Sequence, residues 1–78
     1  MSISTINKSK NATDLHFSND KMVVTLEDGR EVAVPLEWFP LLRDASPKQL
    51  ANWRFIGNGE GIHWEDLDED ISVEQLLN

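Results

Sequence analysis

The chain has no cysteine. That absence excludes disulfides, thiolate nucleophiles, zinc ribbons and iron–sulfur clusters together. A secreted domain this small commonly needs covalent staples, so their absence points to a reducing, cytoplasmic setting. Long apolar runs are missing too. The N-terminal stretch MSISTINKSKNATDLHF holds no continuous segment of signal-peptide length, and no window approaches a membrane span. Basic residues are scarce, 7 Lys and Arg against 14 Asp and Glu, for a formal charge of −7. A phosphate backbone is repelled by such a surface, which disfavours direct nucleic-acid binding. Room is short as well. At 78 residues folding buries roughly 60% of the surface of the open chain, enough for one modest core but not for a deep, enclosed substrate cavity.

What is present argues for a folded domain. Apolar residues make up 40% and charged residues 27% of the chain, outside the disordered range. The pattern predicts an α+β fold: a small curved antiparallel sheet with a β-hairpin at 22–34 and two or three short helices. Residues 1–13, rich in Ser, Thr, Asn and Lys, are expected to form a flexible arm, and 14–78 a single α+β domain. Leu15 and Phe17 alternate with His16 and Ser18, as in a half-buried strand, and Asn19-Asp20 reads as a turn.

The hairpin is the clearest local signal. Met22, Val24 and Leu26 alternate before Glu27-Asp28-Gly29-Arg30, and Val32 and Val34 follow. A two-residue Asp28-Gly29 loop would put Val32 on the opposite face from Leu26. A three-residue loop with Gly29 left-handed at a bulge pairs Leu26 with Arg30, Val24 with Val32 and Met22 with Val34, which gathers the large apolar residues on one face. Gly29 is therefore the structural turn residue. Beyond Pro35, Leu36, Phe39 and Leu42 repeat at helical spacing, with Trp38 and Leu41 beside them and Pro40 at a first turn or break. Ser46-Pro47-Lys48-Gln49 has the capping-box pattern. Trp53–Ile56 and Ile62–Trp64 read as strands around a Gly57–Gly61 turn, and Asp66–Asp70 as a polar connection. Ile71 and Leu76 fit a hydrophobic staple around a second capping box, Ser72-Val73-Glu74-Gln75.

Charge is unevenly placed. Acids and bases cancel through Arg30. From Glu31 onward ten acids face only Arg43, Lys48 and Arg54, and the stretch from Glu60 to Glu74 holds seven acids and no Lys or Arg. Such a field attracts a basic protein. The run Glu65, Asp66, Asp68, Glu69, Asp70 lacks the spacing of a calcium loop, and no second acidic cluster could complete a two-metal site. No metal or cofactor is expected. His63 has no nucleophile at a useful spacing and reads as a strand histidine paired with a local carboxylate, so no catalytic residue is assigned. The Gly57-x-Gly59-x-Gly61 series lacks the strand–helix context of a dinucleotide loop and reads as a hairpin turn. Of the three tryptophans, any left partly exposed beside the acids would anchor a partner. Trp64 is the candidate, because the acidic run begins directly after it.

Three pieces, Leu26-Glu27-Asp28-Gly29-Arg30, Val34-Pro35-Leu36-Glu37-Trp38-Phe39-Pro40-Leu41-Leu42 and Gly61-Ile62-His63-Trp64-Glu65-Asp66-Leu67-Asp68-Glu69-Asp70-Ile71-Ser72-Val73, together resemble domain-of-unknown-function family 2442 over about residues 14–77. One departure is Glu65, where relatives often have proline. The resemblance implies a small bacterial α+β domain with a curved antiparallel sheet and no established catalytic residues. Some relatives carry a helix-turn-helix after the domain, and none is expected here. Others are regarded as antitoxins encoded beside a small basic protein. The expected function is thus a non-enzymatic interaction module, antitoxin-like, that neutralises a small basic toxin through Trp64, Glu65, Asp66, Asp68, Glu69 and Asp70. The alternative is a sensory or scaffolding domain that works with a transcription regulator. A metal-dependent hydrolase is the weakest reading.

Overall fold

Three strands, β1 (Ala12–Ser18), β2 (Lys21–Leu26) and β3 (Glu31–Pro35), form the first sheet as an antiparallel meander. A computed structural model describes residues 9–77 of the chain. Of the expected arm, residues 1–8 lie outside the described residues, whereas Ala12 and Thr13 already belong to β1, so ordered structure starts before the predicted boundary at 14.

Turn chemistry sets the register. Gly29 has φ +95°, the left-handed region that glycine enters without a Cβ penalty. Its N–H donates to the Leu26 carbonyl at 3.0 Å, and the Leu26 N–H donates to the Arg30 carbonyl at 2.8 Å. This is the expected three-residue loop, and Val24 faces Val32 and Met22 faces Val34 as predicted. Asn19 and Asp20 both have positive φ, 50° and 62°, which matches the two-residue hairpin turn whose twist suits flanking strands. A register shift between Ala12 and Asp14 breaks the strict alternation. It lets Ala12 and Leu15, three residues apart, both be buried.

Pro35 closes β3, and the predicted helical run comes out in two pieces. A 3-10 turn spans Leu36–Trp38, and α1 spans Pro40–Arg43. Phe39 between them has φ −132° and ψ 82°, because a residue before proline is pushed out of the helical region. Leu36 and Leu42 are buried, while Trp38 and Leu41 project outward at 61% and 52% exposure. α2 (Pro47–Ala51) carries the predicted capping box: the Gln49 N–H donates to Ser46 Oγ at 3.2 Å and the Ser46 N–H donates to Gln49 Oε1 at 3.0 Å.

The second sheet consists of β4 (Trp53–Ile56), β5 (Gly61–Trp64) and β6 (Glu69–Ser72), again an antiparallel meander, and α3 (Val73–Leu76) follows directly. The fold is therefore α+β and antiparallel, with the strands divided between two three-stranded sheets rather than gathered in one. β6 corrects the expectation of a polar connection up to Asp70. The second capping box also fails to form. Ser72 pairs with Gly61 as the last residue of β6, its side chain caps nothing, and the Val73 N–H donates to the Glu60 carbonyl at 2.9 Å instead.

Both sheets contribute to one core, which includes Leu15, Met22, Val24, Leu26, Val34, Leu42, Ile62, Trp64, Ile71 and Val73. The sheets also meet at a backbone seam: the Ala12 N–H donates to the Gly59 carbonyl at 2.7 Å. Gly59 is buried there with φ +95°. A Cβ on it would lie 2.1 Å from the Ala12 carbonyl oxygen, so the close approach requires glycine. Among the described residues no helix is long and apolar enough to cross a membrane.

Candidate functional site

The acidic run begins where β5 ends. Glu65 and Asp66 lie in a 3-10 turn, Glu65–Leu67, whose negative first turn suits its unpaired N–H groups. Asp68 closes that turn in the left-handed conformation at φ 50°, which aspartate tolerates better than most residues. Glu69 and Asp70 open β6. Glu65, Asp66, Asp68 and Asp70 are exposed, and Glu69 is half-buried. The run thus forms a single strip along a turn and a strand.

Several of these carboxylates are held from within the segment or by a neutral neighbour. Asn52 Nδ2 donates to Asp66 Oδ2 at 3.1 Å. The Asp70 N–H donates to Glu69 Oε1 at 3.2 Å. His63 Nδ1 bonds Asp70 Oδ1, and its Nε2 bonds Glu65 Oε2 at 3.2 Å. The Asp70 and Glu65 carboxylates hold the imidazole above its ordinary value of 6.5, against a smaller opposing effect of burial. Each ring nitrogen thus faces a carboxylate. The expected pairing of His63 with a local carboxylate is what the structure contains.

The chain's arginines do not quench the strip. Arg43 binds Glu37 at 3.3 Å and Asp44 at 3.0 Å, and its guanidinium keeps the Asp44 carboxyl below the usual range. Arg30 binds Asp28 at 2.9 Å. Among the described residues, no lysine or arginine forms an ion pair with residues 65–70, and Lys10 pairs further along with Glu74 at 2.9 Å. Asp66 and Asp68 therefore face no cation of the chain among the described residues, while Glu65 and Asp70 share the His63 imidazole.

Trp64 is not part of that surface. Its exposure is 0%, its indole Nε1–H donates to the Leu50 carbonyl at 3.1 Å, and it sits in the core. Burying about 200 Å² of indole contributes about 5 kcal/mol of transfer free energy. The expectation that Trp64 anchors a partner is corrected. Its side chain follows β5 alternation, with Ile62 and Trp64 inward and His63 outward. The exposed tryptophan is Trp38, which the sequence reading did not single out. The usable signal was the Leu36, Phe39, Leu42 stripe, which leaves Trp38 and Leu41 to one side.

Chemistry elsewhere is sparse. An open cleft of about 400 Å³ lies beside the Asn19-Asp20 turn, with Lys21, Leu36, Glu37 and Arg43 among its lining residues. It brings together acids and bases but no nucleophile with a partnering base. Among the described residues, no three His, Asp or Glu side chains are placed to hold a metal ion.

Comparison with known proteins gives two findings. A family model described as "Protein of unknown function (DUF2442)" matches residues 12–78. The crystal structure of a protein of unknown function from Rhodospirillum rubrum is similar at 33% identity and a TM-score of 0.74, over 86% of this chain and 83% of that one. No curated protein matches.

Proposed function

The chain belongs to the DUF2442 family, and from that premise we propose that it is a non-enzymatic protein-interaction module whose acidic strip docks a small basic protein. The role is antitoxin-like: the strip covers the cationic surface of a toxin and so neutralises it. Glu65, Asp66, Asp68 and Asp70 make the contact, with Glu69 half-buried behind them. The observation that carries this reading is that these exposed carboxylates are left without a lysine or arginine partner among the described residues. Charge complementarity of this kind raises association rates and selects partners by sign. A cytoplasmic setting agrees with the cysteine-free composition.

The test is co-expression with the protein encoded beside it, purification through a tag on one chain, and repetition with Asp66→Lys/Asp68→Lys. Those two substitutions reverse charge without touching the bonds of His63. The expected result is a complex that weakens with added salt and loses at least about tenfold in affinity with the double variant. A complex indifferent to both changes overturns the docking reading. Recovery of a transcription regulator in its place favours a scaffolding role.

A further inference from the structure

On the outer face of the second sheet, three strands place Arg54, His63 and Asp70 side by side: Arg54 is the cross-strand partner of His63 on β4, and Asp70 its partner on β6. Glu65 reaches the same imidazole from the 3-10 turn. The His63 side chain is only 13% exposed, while those of Glu65 and Asp70 are 71% and 67% exposed. A half-sheltered ring thus holds two wet carboxylates, one on each nitrogen. An imidazole can donate from both nitrogens only as imidazolium. Removing one proton leaves a lone pair facing a carboxylate and removes the cation between two like charges.

We propose that His63, Asp70 and Glu65 form a proton-operated clasp, which fastens the acidic segment 65–70 to the second sheet while His63 is protonated and frees the Glu65 end once it is neutral. Glu65 is the end that opens, since its contact is the longer and its side chain the more exposed. Asp70 keeps the remaining N–H through the cross-strand pairing of β5 and β6. Arg54, the cross-strand partner of His63 on β4, forms no ion pair with Glu65 or Asp70, so the imidazole is the cation these two carboxylates share among the described residues. The device changes both the charge of the strip, by one unit, and the order of its turn. It concerns the isolated chain and stands whether or not the strip docks a basic protein.

The experiment is a pH titration of the uniformly nitrogen-15-labelled full chain by NMR, following the His63 ring nitrogens and the backbone amides of residues 65–70. At pH 6.5, the ordinary histidine value, both ring nitrogens should carry protons. The Glu65, Asp66 and Asp68 amides should shift with the same midpoint as the ring. Above that midpoint the Asp68 amide, which donates to the Glu65 carbonyl at 3.4 Å, should exchange about threefold faster than the intrinsic pH dependence requires. Asp70→Asn should lower the His63 midpoint by about one pH unit, and the exposed-site variant Glu65→Gln by less. A neutral His63 at pH 6.5, loop amides that ignore the ring titration, or a midpoint that neither variant moves each overturns the clasp. The wild-type titration decides the first two even if a variant fails to fold.

Discussion

The first sheet and the second have the same plan, an antiparallel meander of three strands, yet they are held in different ways. In the first, short-range chemistry sets the turns: positive-φ residues at Asn19-Asp20 and Gly29, apolar alternation in β2, and an Asp28 carboxylate that accepts from the nearby Arg30 backbone N–H. In the second, the turns are tied to distant parts of the chain. Gly59 presses on Ala12, the Trp64 indole N–H reaches Leu50, and β6 hangs on cross-strand partners. The lesson is that similar topology does not imply similar specification.

Gly29 and Gly59 make the comparison sharpest, because both have φ +95° but differ in surroundings. A Cβ at Gly29 meets nothing within 4 Å, whereas at Gly59 it meets the Ala12 backbone. Gly59→Ala should therefore cost about 3–4 kcal/mol, from backbone strain plus an overlap that no side-chain movement relieves. Gly29→Val should cost about 2 kcal/mol from strain alone. Urea unfolding of both variants checks the order, and equal losses would erase the distinction between an open turn and a packed seam. The two serines test the caps in the same spirit. Ser46→Ala removes a formed capping box and should cost about 1 kcal/mol, while Ser72→Ala removes no cap bond and should stay within about 0.5 kcal/mol of the parent.

The smallest effect has opposite signs in the two regions. Hydrogen bonds, first from Ser9 and then from Arg30, hold the Asp28 carboxyl below its ordinary value of 3.8. Its stabilisation is present above that value and is lost as the pH falls through the folded-state pKa. His63 is held above 6.5, so its contribution is complete below 6.5 and lost as the pH rises through the folded-state value. Thermal melts of Asp28→Asn and His63→Gln across pH should remove part of the acid limb and part of the alkaline limb respectively. Asp44, also depressed, keeps some acid dependence in the first variant.

Legibility follows the same division. The hairpin register could be read from Met22, Val24, Leu26 and Gly29 because only one loop length puts the apolar residues on one face. The split at Phe39 was half-visible, since Pro40 announced a break without fixing where the helical turns would lie. β6 was hidden: Glu69, Asp70 and Ser72 surround a single apolar Ile71, and strand identity there comes from pairing with β5 rather than from any local preference. The acidic strip was legible as charge, and the His63 pairing as a local carboxylate contact. The place of Trp64 follows the inward alternation it shares with Ile62, which outweighs its nearness in sequence to the acids.

The seam between Ala12 and Gly59 joins residues far apart in sequence, and this bears on the order of assembly. Closing so long a loop is entropically slow, while the first meander needs only neighbouring turns. The β2–β3 hairpin should therefore be structured in the folding transition state and the seam formed after it. In stopped-flow experiments Gly59→Ala should act mainly by accelerating unfolding, and Gly29→Val by slowing refolding. The reverse assignment would place nucleation at the junction of the two sheets.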